Sequence, residues 1–160
     1  MAKRTKYRYK QDRLLHVLDL AGWAALITGL LIVAVAARHL MAVRGFRNDF
    51  AAGIAYSEQN FSLTAELEEG DPVRLVRGES GTLYRLFTGP QLRSTPYPSE
   101  YINEMTLRCG DGTTLEVALA SDTLLHLRLT AADGKVRTFA MQFTGMDRWF
   151  HGLLDIAHLA

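Results

Sequence analysis

One cysteine and four prolines in 160 residues already narrow what this chain can be. A lone thiol, Cys109, excludes an internal disulfide and any structural zinc site built on several cysteines. Three of the prolines, Pro90, Pro96 and Pro98, fall in one stretch, which predicts an irregular surface loop over residues 89–99. The length itself excludes a multidomain enzyme, since one domain takes about 100–200 residues.

Charge is missing where it matters most. From Leu20 to Ala37 there are 18 consecutive residues without Asp, Glu, Lys or Arg. As a helix this run spans roughly 27 Å, and the apolar residues Leu14, Leu15, Val17 and Leu18 extend it to the thickness of a hydrocarbon core, about 30 Å. A transmembrane helix is expected over residues 14–43, with Trp23 an interface anchor and Asp19 close enough to the end to reach water. Ala21, Ala25 and Gly29 recur every fourth residue and form a small-residue stripe on which another membrane helix can pack. Ala34-Val35-Ala36 imitates a signal-peptidase site, yet the apolar run exceeds an ordinary signal core, so an uncleaved signal anchor is the expectation.

What charge there is lies in blocks. The tail 1–13 carries Lys3, Arg4, Lys6, Arg8, Lys10 and Arg13 against Asp12 alone. By the positive-inside rule this tail is cytoplasmic, and its cations suit anionic lipid headgroups. Nucleic acid is not expected as a partner, because a short tail tethered at a bilayer has little reach. Residues 48–160 hold nine Arg and Lys against fifteen Asp and Glu, so a polyanion-binding body is not expected either.

Beyond the membrane segment the spacing of Val43, Phe46, Phe50 and Ile54 predicts a juxtamembrane stalk helix over 44–58. From Phe61 the period changes to two, and strands are expected at 61–68, 73–77 and 82–88, the last following a Gly78–Gly81 turn. A four-stranded meander follows at 101–109, 113–120, 123–130 and 135–144, its neighbours made antiparallel by short turns. The alternation assigns Leu115, Val117, Leu119, Leu125, Leu127, Leu129, Phe139, Met141 and Phe143 to the core. Met146, Trp149, Phe150, Leu153, Leu154 and Ala157 line one face of a closing helix.

The fold class expected is thus one N-terminal transmembrane helix plus a mostly-β domain over 59–160. About seven antiparallel strands, as a sandwich or open barrel, are capped by a C-terminal amphipathic helix, and residues 58–160 are expected to fold alone. Seven short strands closed by a tryptophan-bearing helix resemble the pleckstrin-homology-like architecture over about residues 61–158. No family motif matches residue by residue, so the resemblance implies the fold only and brings no phosphoinositide site.

The chemistry-bearing groups are sparse. His151, Asp155 and His158 share a helix face at metal-ligand spacing, but that face is the solvent side. Cys109 and His126 would make a nucleophile and base only if the strands brought them together. Glu66, Glu68, Glu69 and Asp71 read as a solvated acidic edge. No catalytic residue, metal or cofactor is expected. The expectation is a non-catalytic accessory or assembly subunit of a larger complex in a bacterial-type inner membrane, contacting other membrane subunits, with the domain extracytoplasmic. The alternative is a membrane-tethered binding module for a peptide, lipid or envelope component, and a tethered metallochaperone is the third reading.

Overall fold

The computed structural model describes residues 2–68, 70–89 and 91–159, giving the backbone alone for 2–16 and 77. The chain forms two compact units, divided between Met41 and Ala42. One helix, α1 (Ala2–Asn60), supplies every described residue of the first unit and the opening of the second.

Within the first unit, Val17 to Met41 presents apolar side chains on every side of the helix. Leu20, Trp23, Ile32 and Val35 are all more than 60% exposed, and none of the most apolar stretch is buried. This is the one helix among the described residues long and apolar enough to cross a membrane.

The second unit is a seven-stranded antiparallel sheet with helices against one face. Its strands are β1 (Thr64–Leu67), β2 (Val73–Arg74), β3 (Arg93–Ser94), β4 (Asn103–Arg108), β5 (Thr114–Ser121), β6 (Leu124–Thr130) and β7 (Val136–Gln142). They run in the order β2-β1-β4-β5-β6-β7-β3, so both edges are closed by two-residue strands. The predicted meander forms β4 to β7. Its first turn is held by Cys109 N–H donating to the Thr113 carbonyl at 2.8 Å and by the Asp111 carboxylate accepting from Thr113 N–H at 2.9 Å. Gly112 sits at φ 91, where a side chain would be strained.

Phe143, which the alternation assigned to the core, is exposed instead, and the elements before the meander need correction as well. Residues 82–88 are not a strand but most of α2 (Arg77–Thr88). Leu83 and Phe87, four apart, are both fully buried, and the Glu79 carboxylate accepts the Val76 N–H at 2.8 Å to cap the first turn. The missing strand is replaced by β3, formed inside the proline-rich loop where no strand was expected. Nor do residues 44–58 make a free stalk. Phe46 and Phe50 are 0% exposed and Ile54 is 5%, so this half of α1 is a core element of the domain.

The core closes through a chain of aromatic contacts. Phe46 meets Phe139 of β7 edge-on at 5.3 Å, and Phe50 meets Tyr84 and Phe87 of α2, each at 6.0 Å. Phe87 reaches Trp149 of α3 (Met146–Ile156) at 5.8 Å. Phe150 of α3 is fully buried, whereas Trp149 is half-buried against Phe87 and the exposed Phe143. α1 approaches the β4–β5 turn closely at Gly53, where an added Cβ would lie 3.0 Å from Thr113 Cβ and 3.1 Å from Cys109 Sγ.

Candidate functional site

Because side chains alternate, the residues that do not enter the core form a second, polar face of the sheet. One row crosses it in direct register: Glu104 on β4, Ala118 on β5, His126 on β6, Ala140 on β7 and Arg93 on β3. The adjacent row reads Glu66, Thr106, Glu116, Arg128 and Thr138. The two alanines on either side of His126 leave a notch.

Residues 95–102 fold over that notch as a strap. The Tyr97 hydroxyl donates to Glu104 Oε1 at 3.0 Å, and its ring stands edge-on to the His126 imidazole at 6.4 Å. The Arg128 guanidinium covers the same ring at 4.5 Å and is paired with Glu116. Further on, the Tyr101 hydroxyl donates to Glu68 Oε1 at 3.2 Å, and Ile102 N–H donates to the Leu119 carbonyl at 2.7 Å. Two tyrosines therefore clasp two carboxylates from opposite ends of the strap.

The clasp sets the titration of its members. Burial first, and then Glu104, push the Tyr97 phenol well above its ordinary range. Glu104 and Glu68 push Tyr101 up to about 12. Burial lowers the His126 imidazole against the opposing pull of the Pro96 carbonyl. His126 is 8% exposed and its Nδ1 has no hydrogen-bond partner. Beside the strap lies an open hollow of about 310 Å³ lined by Glu66, Glu68, Glu104, Thr106 and Arg108. Arg108 Nε donates to Glu66 Oε1 at 2.7 Å, so the hollow is acidic with one internal cation.

The residues singled out in the sequence are distributed as follows. Cys109 faces the core beside Gly53, and burial pushes its thiol up to about 11, while His126 lies on the opposite face of the sheet; the two are not brought together. His158, at φ 57 past the end of α3, turns to Glu79 of α2 at 2.6 Å, and His151 pairs with Asp147 at 3.3 Å. No group of three potential ligands that could hold a metal occurs among the described residues. Ala21, Ala25 and Gly29 are exposed, and nothing lies within 4 Å of a Cβ built on Gly29. Trp23 is 66% exposed. The side chains of Lys3, Arg4, Lys6, Arg8, Lys10 and Arg13, and Glu69 of the acidic run, lie outside the described residues.

The strap was missed because its partners are remote: seven residues separate Tyr97 from Glu104 and 33 separate Tyr101 from Glu68. The available signal was the alternation itself, which put His126 between two alanines on the outward face. No protein family, curated protein or solved structure matches the chain.

Proposed function

We propose that the chain is a non-catalytic, single-pass accessory or assembly subunit of a larger inner-membrane protein complex. Its N-terminus lies in the cytoplasm and its β-domain outside, and its partners are other membrane subunits and anionic headgroups at the basic tail. The observation that carries this reading is the exposed apolar segment of α1, whose hydrophobic side chains are not buried by any of the described residues. A bilayer satisfies most of that surface, and the open stripe at Ala21, Ala25 and Gly29 admits a neighbouring helix. The buried, protonated thiol of Cys109 and its separation from His126 support a non-catalytic role.

Purification of the full chain in mild detergent tests this directly. Other membrane chains should co-purify in fixed ratio; a chain recovered alone, as a monomer, overturns the reading. A reporter active only outside the cytoplasm, fused after Ala160, should be active, and silence there overturns the orientation.

The strapped face of the sheet favours the second reading, a tethered binding module, because a covered polar notch is a surface that ligand binding can uncover. Retention of the partner by the domain without its membrane segment would select that reading. We further propose kinship with pleckstrin-homology-like domains, supported by the strand number and the closing helix.

A further inference from the structure

We propose that the strap over residues 95–102 is an acid-released cover, held shut while His126 beneath it is neutral and lifted when His126 takes up a proton. The geometry makes the covered site hostile to a second proton on the ring. His126 is more than nine-tenths buried and its Nδ1 meets no acceptor. Its neighbours in the row are Ala118 of β5 and Ala140 of β7, whose side chains can accept nothing.

The charged and titratable groups around the ring are all engaged or unfavourable. From the strap, Tyr97 presents its ring edge, and its hydroxyl occupies Glu104 of β4. On β6 itself Arg128 is a second cation, and its partner Glu116 of β5 is taken up by that pairing. Arg93 of β3, opposite Ala140, adds another positive charge on the far side of the row. An imidazolium in this place would gain no acceptor beyond the Pro96 carbonyl and would stay cut off from solvent, whereas lifting the strap gives it water.

The direction of the switch follows from linkage. Burial holds the covered ring below its ordinary value of 6.5. A group that binds protons more weakly when covered stabilises the cover above its free value, and that stabilisation is lost as pH falls through the covered value. Opening is therefore expected below about pH 6.5. It exposes the Ala118–His126–Ala140 notch and frees Glu104 and Glu68 from their tyrosines, enlarging the acidic hollow.

Amide hydrogen exchange on the full chain in detergent micelles tests the proposal. Protection of the Ile102 amide, which donates to the Leu119 carbonyl where the strap joins the sheet, corrected for the intrinsic rate at each pH, should fall between pH 7.5 and pH 5.0 in the wild type. His126→Gln, which keeps a neutral polar group of similar reach, should hold its protection at both values. Tyr97→Phe should lose protection at both, because the clasp to Glu104 is gone. Wild-type protection that ignores pH overturns the proposal, and so does an equal fall in His126→Gln, which would move the acid response to the carboxylates. Should His126→Gln fail to fold, ring-proton NMR of the wild type decides: titration of His126 below 6.5 supports the cover, and titration at or above it overturns it.

Discussion

Arg137 of β7 crosses α1 directly over Gly45 and pairs with Asp49 one turn further on. A Cβ on Gly45 would stand 2.8 Å from Arg137 Nη2. The obstacle is the mobile end of a long side chain, and alanine favours the helix over glycine by up to about 1 kcal/mol. Gly45→Ala should therefore change stability by less than about 1 kcal/mol in denaturant unfolding. Gly110→Ala is the contrasting case. Its Cβ would fall 1.9 Å from Ser62 Oγ and 2.6 Å from Ser62 Cβ, where the side chain is too short to move away, so a loss of about 1–3 kcal/mol is expected. Equal effects of the two substitutions would contradict this packing.

The aromatic chain ranks two truncations. Phe50→Ala empties a fully buried position touched by α2 and should cost about 3–5 kcal/mol, whereas Trp149→Ala removes a half-buried ring and should cost roughly half as much. Chemical denaturation of both variants checks the order.

Where the domain begins can be tested by truncation. A fragment of residues 42–160 retains Phe46, Phe50 and Ile54 and should unfold cooperatively. A fragment of residues 58–160 lacks all three and should show no cooperative transition, contrary to what the strand pattern alone implies. Cooperative melting of the shorter fragment would remove α1 from the core.

The capping carboxylate of α2 makes stability depend on acid. The Val76 N–H, and then His158, hold the Glu79 carboxyl below its ordinary value of 4.5. Stabilisation from a depressed carboxyl is present above the unfolded value and disappears as pH falls through the folded one. The Tm advantage of wild type over Glu79→Gln should be full at pH 6 and shrink as pH falls below 4.5. A gap that stays constant across that range would show that the pairing contributes nothing.

Cys109 should be chemically silent in the folded state. With its thiol pushed up to about 11 by burial, the thiolate fraction at pH 8 is smaller than that of a free cysteine by about a hundredfold or more. Alkylation by iodoacetamide should be slower by at least that factor in the native domain and normal in urea. Rapid native labelling would place the sulfur at the surface.

The sequence was legible where one local rule decided the outcome. The β4–β7 meander was readable because each turn carries its own short-range chemistry, as at Asp111–Thr113. Core positions such as Leu115, Val117 and Leu119 followed from period two, although Ala118 between them is buried as well, on the opposite face under the strap. Thr82–Thr88 misled because threonine, tyrosine and leucine at alternate positions imitate a strand, while Ser80, Leu83 and Phe87 share the buried face of a helix. Phe61 misled in the opposite sense: it fits the alternation of β1, yet it sits at φ 51 and is 68% exposed. The stalk was read as a helix with the right apolar positions, but periodicity identifies a face and not what covers it. The strap depends on contacts between distant residues, which no local pattern encodes.

The contact between Phe46 and Phe139 fixes an order of events during synthesis. A ribosome delivers the first ring long before the second, so α1 emerges with Phe46, Phe50 and Ile54 uncovered; α2 brings the partners of Phe50 first, but Phe46 must wait for nearly the entire domain before β7 arrives. Throughout that interval the nascent chain shows a sticky aromatic ridge to whatever is nearby. A stalled or truncated product ending before β7 would keep that ridge permanently, and quality-control proteases that recognise exposed apolar side chains would have a ready handle on it.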